Sequence, residues 1–313
     1  MNRIPSTSSR QLVLRGAFTT GRLACAVLVA ATLAACGGGG DGQPRATVSS
    51  TSVSATAYAA PANLTINGTN LDNISVSSEG CKNIRRLTTP PHASTSTTAY
   101  YDCTVSGAFT SNFVIQSNGA TVGTSQAFTV PQPQVTLQVT NGVDWTGTVV
   151  ISLAGDKMPI TVDNFLYYVN TSYYDGQIFD RVVPAYNGQA QFIAQAGLFG
   201  AAPNGELPAP KPTQPPIPLE IDATLSNTTW SVAMARTATP NSATSEFYIN
   251  VADNHLLLDG SYAVFGTVTA ETTNAVQTIV DAPGQCIYNP QTTGTYDCLP
   301  IPNMTISTAR QSR

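Results

Sequence analysis

Hydrophobic and polar residues alternate with two different periods in the second half of the chain, and each period predicts its own kind of element. Residues 135–139 (VTLQV) and 148–153 (TVVISL) alternate between apolar and polar side chains, as half-buried β-strands do. In residues 160–169 (ITVDNFLYYV) the apolar positions recur three and four residues apart, which predicts a helix with one buried face. That stripe consists of Val162, Phe165, Leu166 and Val169. Thr161 is the predicted N-cap, and a shorter stripe at Val276, Ile279 and Val280 predicts a second helix.

The first half of the chain has a different pattern, with short β-prone runs separated by turn signals. The runs are NLTI (63–66), NISVS (73–77), YYDCTVS (100–106), SNFVIQS (111–117) and QAFTV (126–130). Short strands at this spacing predict a small antiparallel β-sandwich over residues 45–132, weakly similar to immunoglobulin-like cell-surface modules. We interpret it as a spacer. The proline-containing segment 130–134 (VPQPQ) predicts a stiff junction with the domain that follows.

The N-terminus has the features of an export signal. Four arginines precede an uncharged apolar run of 13 residues, 23–35, which is short for a membrane span and typical of a signal-peptide core. The sequence LAAC at 33–36 resembles the lipobox of bacterial lipoproteins, and an ordinary secretory cleavage site is the alternative. We therefore predict a lipoprotein signal peptide over 1–35 and a lipidated Cys36 in a Gly-rich tether over 36–44. The predicted location is the bacterial cell envelope, on the periplasmic side, with a lipid anchor in the membrane.

Charge and cysteine content narrow the possible partners and cofactors. Without residues 1–35 the chain carries 10 basic and 18 acidic residues, a net charge of −8, which argues against nucleic acid as a partner. The remaining cysteines are Cys81, Cys103, Cys286 and Cys298. An even number in an exported protein predicts two disulfides, Cys81–Cys103 and Cys286–Cys298, one in each half of the chain. None of the spacings is the close pair that zinc favours, so no metal site is predicted.

Two long segments resemble a known family. Residues 151–183 (ISLAGDKMPITVDNFLYYVNTSYYDGQIFDRVV) are similar to the opening half of a cyclophilin, the peptidyl-prolyl isomerase fold. Residues 230–254 (WSVAMARTATPNSATSEFYINVADN) and 260–268 (GSYAVFGTV) are similar to its second half, and 211–217 (KPTQPPI) matches a connecting loop of bacterial members. The resemblance covers about 134–310. It implies a mainly β fold, an eight-stranded antiparallel barrel capped by two helices, which binds proline-containing peptides on its outer face.

The chemistry of the family explains why few charged residues are needed. An X–Pro bond isomerises across a barrier of ~18–20 kcal/mol because the amide is conjugated. No bond breaks, so no nucleophile, metal or cofactor is required. The barrier is lowered by an apolar slot that holds the proline ring and by a hydrogen-bond donor to the twisted prolyl nitrogen. Arg181, in FDRVV, falls on the catalytic arginine of the family.

The segment after Arg181 is compatible with two registers. In the family an aromatic residue and a glutamine follow the arginine within a few residues. Without a gap these places fall on Tyr186 and Gln189. With a six-residue insertion, PAYNGQ at 184–189, they fall on Phe192, Ile193 and Gln195. We prefer the second register, because FIAQAGLF keeps the whole local pattern. Phe192 and Ile193 would then line the proline pocket and Gln195 would bond the substrate backbone.

The resemblance also assigns the remaining substrate-binding residues. Ala235 and Arg236 match the segment whose backbone pairs with the peptide, and Tyr248 matches the aromatic at the base of the pocket. Glu246 stands where the family usually has glutamine, and it would bring a negative charge able to pair with Arg181. Tyr262 stands where many bacterial members have tyrosine. The spacing before it is one residue longer than usual, so Leu256 or Leu257 replaces the wall aromatic and Leu257 or Leu258 follows; we assign Leu257 and Leu258.

Three functional hypotheses remain at this point. The leading one is a lipid-anchored, monomeric peptidyl-prolyl cis-trans isomerase that acts on proline-containing segments of exported proteins. The alternative is a catalytically weak proline-peptide-binding module or holdase, which is motivated by Glu246, the insertion after Arg181 and the leucine substitution. The third is a structural surface protein in which the sandwich carries the function.

Overall fold

We describe a computed structural model. It describes residues 44–55, 57–185, 190–202, 204–289 and 295–313. Residues 44–313 form one compact unit with its own hydrophobic core. The predicted signal peptide, Cys36 and most of the tether lie outside the described residues. Within those residues, no helix combines the length and the apolar character that crossing a membrane demands.

The N-terminal part of this unit is built from short strands in two main layers. The strands are β1 (Thr47–Ser54), β2 (Pro61–Thr69), β3 (Ile74–Ser77), β4 (Cys81–Arg86), β5 (Thr98–Val105), β6 (Thr110–Ser111), β7 (Val114–Ser117), β8 (Ala120–Thr124) and β9 (Phe128–Thr129), with a 3₁₀ turn at Leu71–Asn73. One sheet has the order β1-β2-β5-β4 and another β3-β7-β8, while β6 pairs with β9. Leu64, Ile66, Phe113 and Ile115 are fully buried in the core. The predicted Cys81–Cys103 disulfide is present; the likeness to immunoglobulin modules stays a prediction.

The second part is a closed barrel. Its strands and those of an attached hairpin are β10 (Gln134–Thr140), β11 (Thr146–Leu153), β12 (Gln177–Val182), β13 (Ile193–Gly200), β14 (Ser231–Met234), β15 (Phe247–Asn250), β16 (Val264–Val268), β17 (Gly284–Asn289), β18 (Thr295–Pro300) and β19 (Thr305–Gln311). Eight strands follow the order β13-β15-β14-β16-β11-β10-β19-β12, and β12 pairs back with β13 to close the ring. All pairings are antiparallel. The predicted mainly β, eight-stranded antiparallel barrel is confirmed.

Strands β17 and β18 form a hairpin beside the barrel. The ladder between this hairpin and β12 consists of one residue pair, Val182 with Cys298. Within the hairpin Cys286 lies directly opposite Cys298, and the predicted disulfide joins them. The sequence pattern did not predict the hairpin, because the disulfide alone does not say where the loop packs.

The barrel carries two longer helices, each with a buried apolar face, and one helical turn without buried residues. They are α1 (Pro159–Asn170), α2 (His255–Leu258) and α3 (Thr273–Val280), with a 3₁₀ turn at Ala270–Thr272. The predicted apolar stripes of α1 and α3 are both buried. The predicted N-cap at Thr161 is wrong. The helix begins at Pro159, whose missing N–H suits the first helical position, and the buried Thr161 donates its own N–H and hydroxyl to Glu220 at 2.9 Å each.

The N-terminal layers pack directly on the barrel near α1. Tyr58 is buried, and its hydroxyl donates to the carboxylate of Asp163 at 3.1 Å. Lys82 forms an ion pair with the same carboxylate. Gly155 permits this approach, because a Cβ there would lie 2.7 Å from the Tyr58 ring. The predicted spacer therefore shares a contact surface with the barrel and is not held off by the prolines of the junction.

Candidate functional site

The residues predicted to act on a proline peptide surround one pocket on the outer face of the barrel. Its volume is about 330 Å³. It is lined by Arg181, Phe192, Ile193, Gln195, Ala235, Arg236, Glu246, Tyr248, Leu258, Tyr262 and Asp297. All predicted site residues except Leu257 are among them, and Asp297 is an addition that sequence reasoning missed. The structure thus brings the set together, while the role of each residue stays a prediction.

Strand pairing explains why these residues meet. Arg181 of β12 pairs with Gln195 of β13, and Gln195 pairs with Tyr248 of β15, so the three form a row across neighbouring strands. Alternation along β13 places Ala194 in the main core and Ile193 in a separate outer cluster. This is the arrangement expected from the register with an insertion. Tyr186 and Gln189, which belong to the other register, lie outside the described residues.

The walls of the pocket are apolar and aromatic. Phe192, Ile193 and Tyr248 are buried, and Leu258 and Tyr262 pack against them. The Tyr248 and Tyr262 rings meet edge to face, with centroids 5.8 Å apart. The Tyr248 hydroxyl donates to the side-chain oxygen of Asn227 at 2.8 Å, and burial raises the pKa of Tyr248 well above its ordinary value. The phenol therefore stays neutral, and its ring is a rigid wall.

The assignment of Leu257 to this wall is wrong. Leu257 is 69% exposed and Leu256 is 87% exposed, and neither lines the pocket. Both lie on the single turn of α2, where successive residues point about 100° apart. Because Leu258 faces the pocket, Leu257 cannot face it as well.

The polar side of the pocket is a chain of side chains centred on Arg181. Its Nη2 lies 3.0 Å from Oδ1 of Asp297, and its Nη1 donates to Oε1 of Gln195 at 3.3 Å. Nε2 of Gln195 donates in turn to Oε1 of Glu246 at 2.8 Å. From the sequence, Glu246 brings a negative charge that is able to pair with Arg181 itself. It acts instead on Gln195, and it fixes the amide so that the oxygen faces the guanidinium.

Arg236 and Ala235 form the opposite rim. The Arg236 guanidinium lies over the Tyr262 ring, 4.7 Å from its centroid, and Nε donates to the carbonyl of Ser261 at 2.8 Å. The backbone N–H of Ala235 donates to the carbonyl of Glu246 at 2.9 Å. The long side chain of Arg236 thus braces Tyr262, and pairing of this backbone segment with a peptide stays a prediction.

A buried carboxyl group, that of Asp180, directly precedes Arg181 in β12. Asp180 is 9% exposed, lines a second cavity of about 510 Å³, and its Oδ1 has no hydrogen-bond partner among the described residues. Burial, and after it the nearby Glu246, raises the pKa of Asp180 to about 8, although Arg181 opposes the shift. Burial also raises the pKa of Glu246, against the opposing effects of Gln195 and Arg181.

We expect Asp180→Asn to stabilise the protein in alkaline solution. The ordinary pKa of this group is 3.8, so between about pH 4 and pH 8 the folded state holds a proton that the unfolded state has lost. Stability therefore falls as the pH rises through this window, and asparagine removes the fall. The gain should be about 1–3 kcal/mol near pH 8.5 and close to zero near pH 4. Urea unfolding at the two pH values measures it.

Asp175→Asn is the matched control for that prediction. The hydrogen bond from Arg310 lowers the pKa of Asp175, with a further hydrogen bond from the N–H of Ala309. Its contribution is present at neutral pH and is lost as the pH falls, so this variant should be less stable than wild type near pH 8.5. If Asp180→Asn gave no more stability near pH 8.5 than near pH 4, the raised pKa of Asp180 would be refuted.

The chemistry available in the pocket is that of hydrogen bonding beside an apolar slot. A guanidinium has five N–H groups, and the contacts with Asp297 and Gln195 engage both terminal nitrogens. No group of three or more histidine, cysteine or acidic side chains is arranged for a metal ion in the described parts of the chain. An ordered donor next to a site for a small ring can act on an amide without any acid–base step.

The segment that contains the pocket residues matches a known protein family. Residues 134–309 match the family model described as cyclophilin type peptidyl-prolyl cis-trans isomerase/CLD. Peptidyl-prolyl cis-trans isomerase A of Dickeya dadantii (strain 3937) is 41% identical over 126 residues, which are 39% of this chain and 60% of that protein. Peptidyl-prolyl cis-trans isomerase cyp18 of Streptomyces antibioticus is 42% identical over 143 residues, 44% of this chain and 76% of that protein.

The matches differ in how much of each protein they cover. This chain spans about 60% of the length of the first curated relatives that it matches. Among solved structures, the cyclophilin type peptidyl-prolyl cis-trans isomerase cgd2_1660 of Cryptosporidium parvum superposes with a TM-score of 0.42 and 20% identity, over 58% of this chain and 98% of that one.

Proposed function

Since this chain belongs to the cyclophilin-type peptidyl-prolyl cis-trans isomerase family, we propose that its barrel isomerises X–Pro bonds in exported proteins. The observation that carries the proposal is the position of Arg181 at the edge of a pocket with apolar walls, 3.3 Å from Gln195. The barrel acts as a monomer and needs no cofactor. Uncatalysed proline switching takes tens of seconds and limits folding, which gives this activity a use outside the cytoplasm.

In the proposed reaction each residue of the pocket has its own role. The proline ring enters the slot formed by Phe192, Ile193 and Tyr248, and Gln195 bonds the peptide backbone. An N–H of Arg181 is donated to the prolyl nitrogen, which becomes pyramidal as conjugation is lost in the twisted state. The donor contributes more to the twisted state than to either planar isomer, so it lowers the barrier. Each ~1.4 kcal/mol removed raises the rate about tenfold.

Exchange spectroscopy on a proline-containing peptide tests the proposal. Residues 44–313, which form one compact unit, are added in small amounts to a peptide with resolved cis and trans signals. We expect catalytic amounts to accelerate the exchange until cross-peaks appear between the two isomers. A protein that binds the peptide, broadening its signals without accelerating exchange, would contradict the isomerase assignment.

One observation favours the second candidate, a catalytically weak proline-peptide-binding module or holdase. Glu246 stands where the family usually has glutamine, and it holds the amide of Gln195 at 2.8 Å, which competes with a bond from Gln195 to a peptide backbone. Binding and turnover separate the two functions, because the module predicts peptide affinity in the absence of accelerated exchange. Suppressed aggregation of an unfolded client that lacks proline would support the holdase form.

We further propose that the chain is held in the envelope through a lipid on Cys36, with the barrel on the periplasmic side and the N-terminal layers between barrel and membrane. The lipobox-like LAAC at 33–36 and the Gly-rich residues after it support this. Cys36→Ser should move the protein from the membrane fraction to the soluble fraction and abolish labelling by a radioactive fatty acid. Unchanged membrane association of the variant would refute the anchor.

A further inference from the structure

The disulfide hairpin β17–β18 lies beside the candidate site and contributes one residue to it. Asp297 of β18 lines the pocket together with residues of the barrel strands. It is one position from Cys298, which pairs with Val182, and Val182 is one position from Arg181. Because the strands are antiparallel, Asp297 lies opposite Val183 and is a diagonal neighbour of Arg181 on the same face, within reach of the long arginine side chain.

The contact between Asp297 and Arg181 is sheltered and directional. Oδ1 of Asp297 is 3.0 Å from Nη2, and the two side chains are 19% and 22% exposed. An ion pair with this little exposure is screened less by water and salt than a surface pair. Gln195 approaches the other terminal nitrogen, Nη1. The guanidinium plane is thus fixed from two sides, by an amide of the barrel and by a carboxylate of the hairpin.

The other acid of the pocket does not duplicate this role. Glu246 contacts Gln195 and not the guanidinium, so it acts on Arg181 through the amide that it orients. Asp297 is the carboxylate that forms the direct ion pair. A charge-assisted contact of this kind is the stronger constraint on a flexible arginine side chain.

A disulfide braces the hairpin that carries Asp297. Its ladder with the barrel is the pair Val182–Cys298, and β17 is paired with β18 alone among the described strands. The Cys286–Cys298 bond joins the two hairpin strands at the very position where the hairpin meets β12. Loss of this bond leaves β17 and β18 joined by their ladder of six residue pairs, but it removes the covalent brace at the position where β18 meets β12.

We infer that Asp297 is a positioning residue for Arg181, and that the Cys286–Cys298 disulfide, by holding Asp297 in place, sets the catalytic output of the site. The inference rests on the proposed isomerase function. It predicts that breaking the pair lowers turnover and leaves the affinity for a proline peptide unchanged, because the apolar slot is not altered. A misplacement of the donor by about 1 Å is enough for a large loss of rate.

The test uses residues 44–313 and measures the accelerated X–Pro exchange and the peptide Kd of each variant. Asp297→Asn should lower the exchange rate about tenfold and change Kd by less than about twofold, and Asp297→Glu should recover part of the rate. Cys286→Ser with Cys298→Ser should give a similar loss. Its effect should vanish in the Asp297→Asn background, since both changes act through the same contact.

The second disulfide provides the matched control. Cys81→Ser with Cys103→Ser removes a bond of the same kind from the N-terminal layers, and it should lower the melting temperature without lowering exchange in the folded protein. Retained near-ultraviolet circular dichroism shows that each variant is folded. An unchanged or faster exchange rate in Asp297→Asn would overturn the inference, as would losses from the Asp297 and cysteine changes that simply multiply.

A readout without turnover separates this inference from the proposed function. The Nε–H signal of Arg181, identified by its absence in Arg181→Lys, should shift and sharpen in Asp297→Asn as the side chain becomes mobile. If wild type does not accelerate exchange, the proposed function fails while this signal still tests the positioning role. If wild type is active, and the signal and rate of Asp297→Asn equal those of wild type, the inference alone fails.

Discussion

Arg181→Ala should lower the kcat/KM for X–Pro isomerisation by about 10²–10³-fold while the protein stays folded. The guanidinium is the donor that we assign to the pyramidal prolyl nitrogen at the edge of the apolar slot, and alanine removes it. The slot itself is unchanged, so the peptide Kd should stay within about threefold of wild type. A protease-free exchange assay gives the rate, and titration of the same peptide gives Kd.

Two further variants decide whether the donor geometry or only the charge matters. Arg181→Lys keeps a positive charge but replaces the planar fork with a single ammonium, and we expect an intermediate rate. Arg85→Ala is the control, because Arg85 also pairs with an aspartate, at 2.6 Å from Asp102, but is 73% exposed in the N-terminal layers. Its rate should equal that of wild type. A rate for Arg181→Ala within about twofold of wild type would remove Arg181 from the mechanism.

Periodicity predicted local structure well where burial is decided within one element. The buried face of α1 could be predicted from the sequence, because all of its residues contact the core and their spacing follows the helical period. The N-terminal cap of the same helix could not be predicted from the sequence. Glu220, which receives the N–H of Thr161, comes from a loop far along the chain, and no local signal links the two. Closure of the barrel came from the family resemblance, because alternation specifies a strand but not its neighbours.

In the candidate site, too, some residues could be predicted from the sequence and others could not. Arg181, Gln195 and Tyr248 were predictable because the family motifs keep their flanks, and the strand register aligns them across the sheet. Leu257 was not predictable, because one extra residue before Tyr262 is absorbed by the turn of α2. Asp297 was missed because it belongs to a hairpin outside the family motifs, and a carboxylate beside a disulfide cysteine carries no signal of its own. The residue that forms the ion pair with Arg181 is thus one that the recognised motifs do not include.

Phe165→Ala should have the largest effect on stability, a loss of about 3–5 kcal/mol. Phe165 is fully buried where α1 closes the barrel, and its ring centroid lies 5.3 Å from those of Tyr174 and Phe247 and 5.0 Å from that of Phe265. Alanine removes the centre of this aromatic cluster, and rings held by two strands of the barrel and by the turn after α1 cannot collapse into the space. Urea unfolding of residues 44–313 measures the loss.

The same substitution should also disturb the pocket wall, because Phe247 and Tyr248 are successive residues of β15 that face opposite sides of the sheet. A cavity behind Phe247 leaves this strand free to shift, and the Tyr248 wall shifts with it. We therefore expect weaker binding of a proline peptide even at temperatures where the variant is folded. Tyr167→Ala is the control. Tyr167 lies on the same helix but is 46% exposed, so its loss should change the free energy of unfolding by less than about 1 kcal/mol. Equal losses from the two substitutions would show that α1 contributes surface contacts and not the packed plug of the barrel.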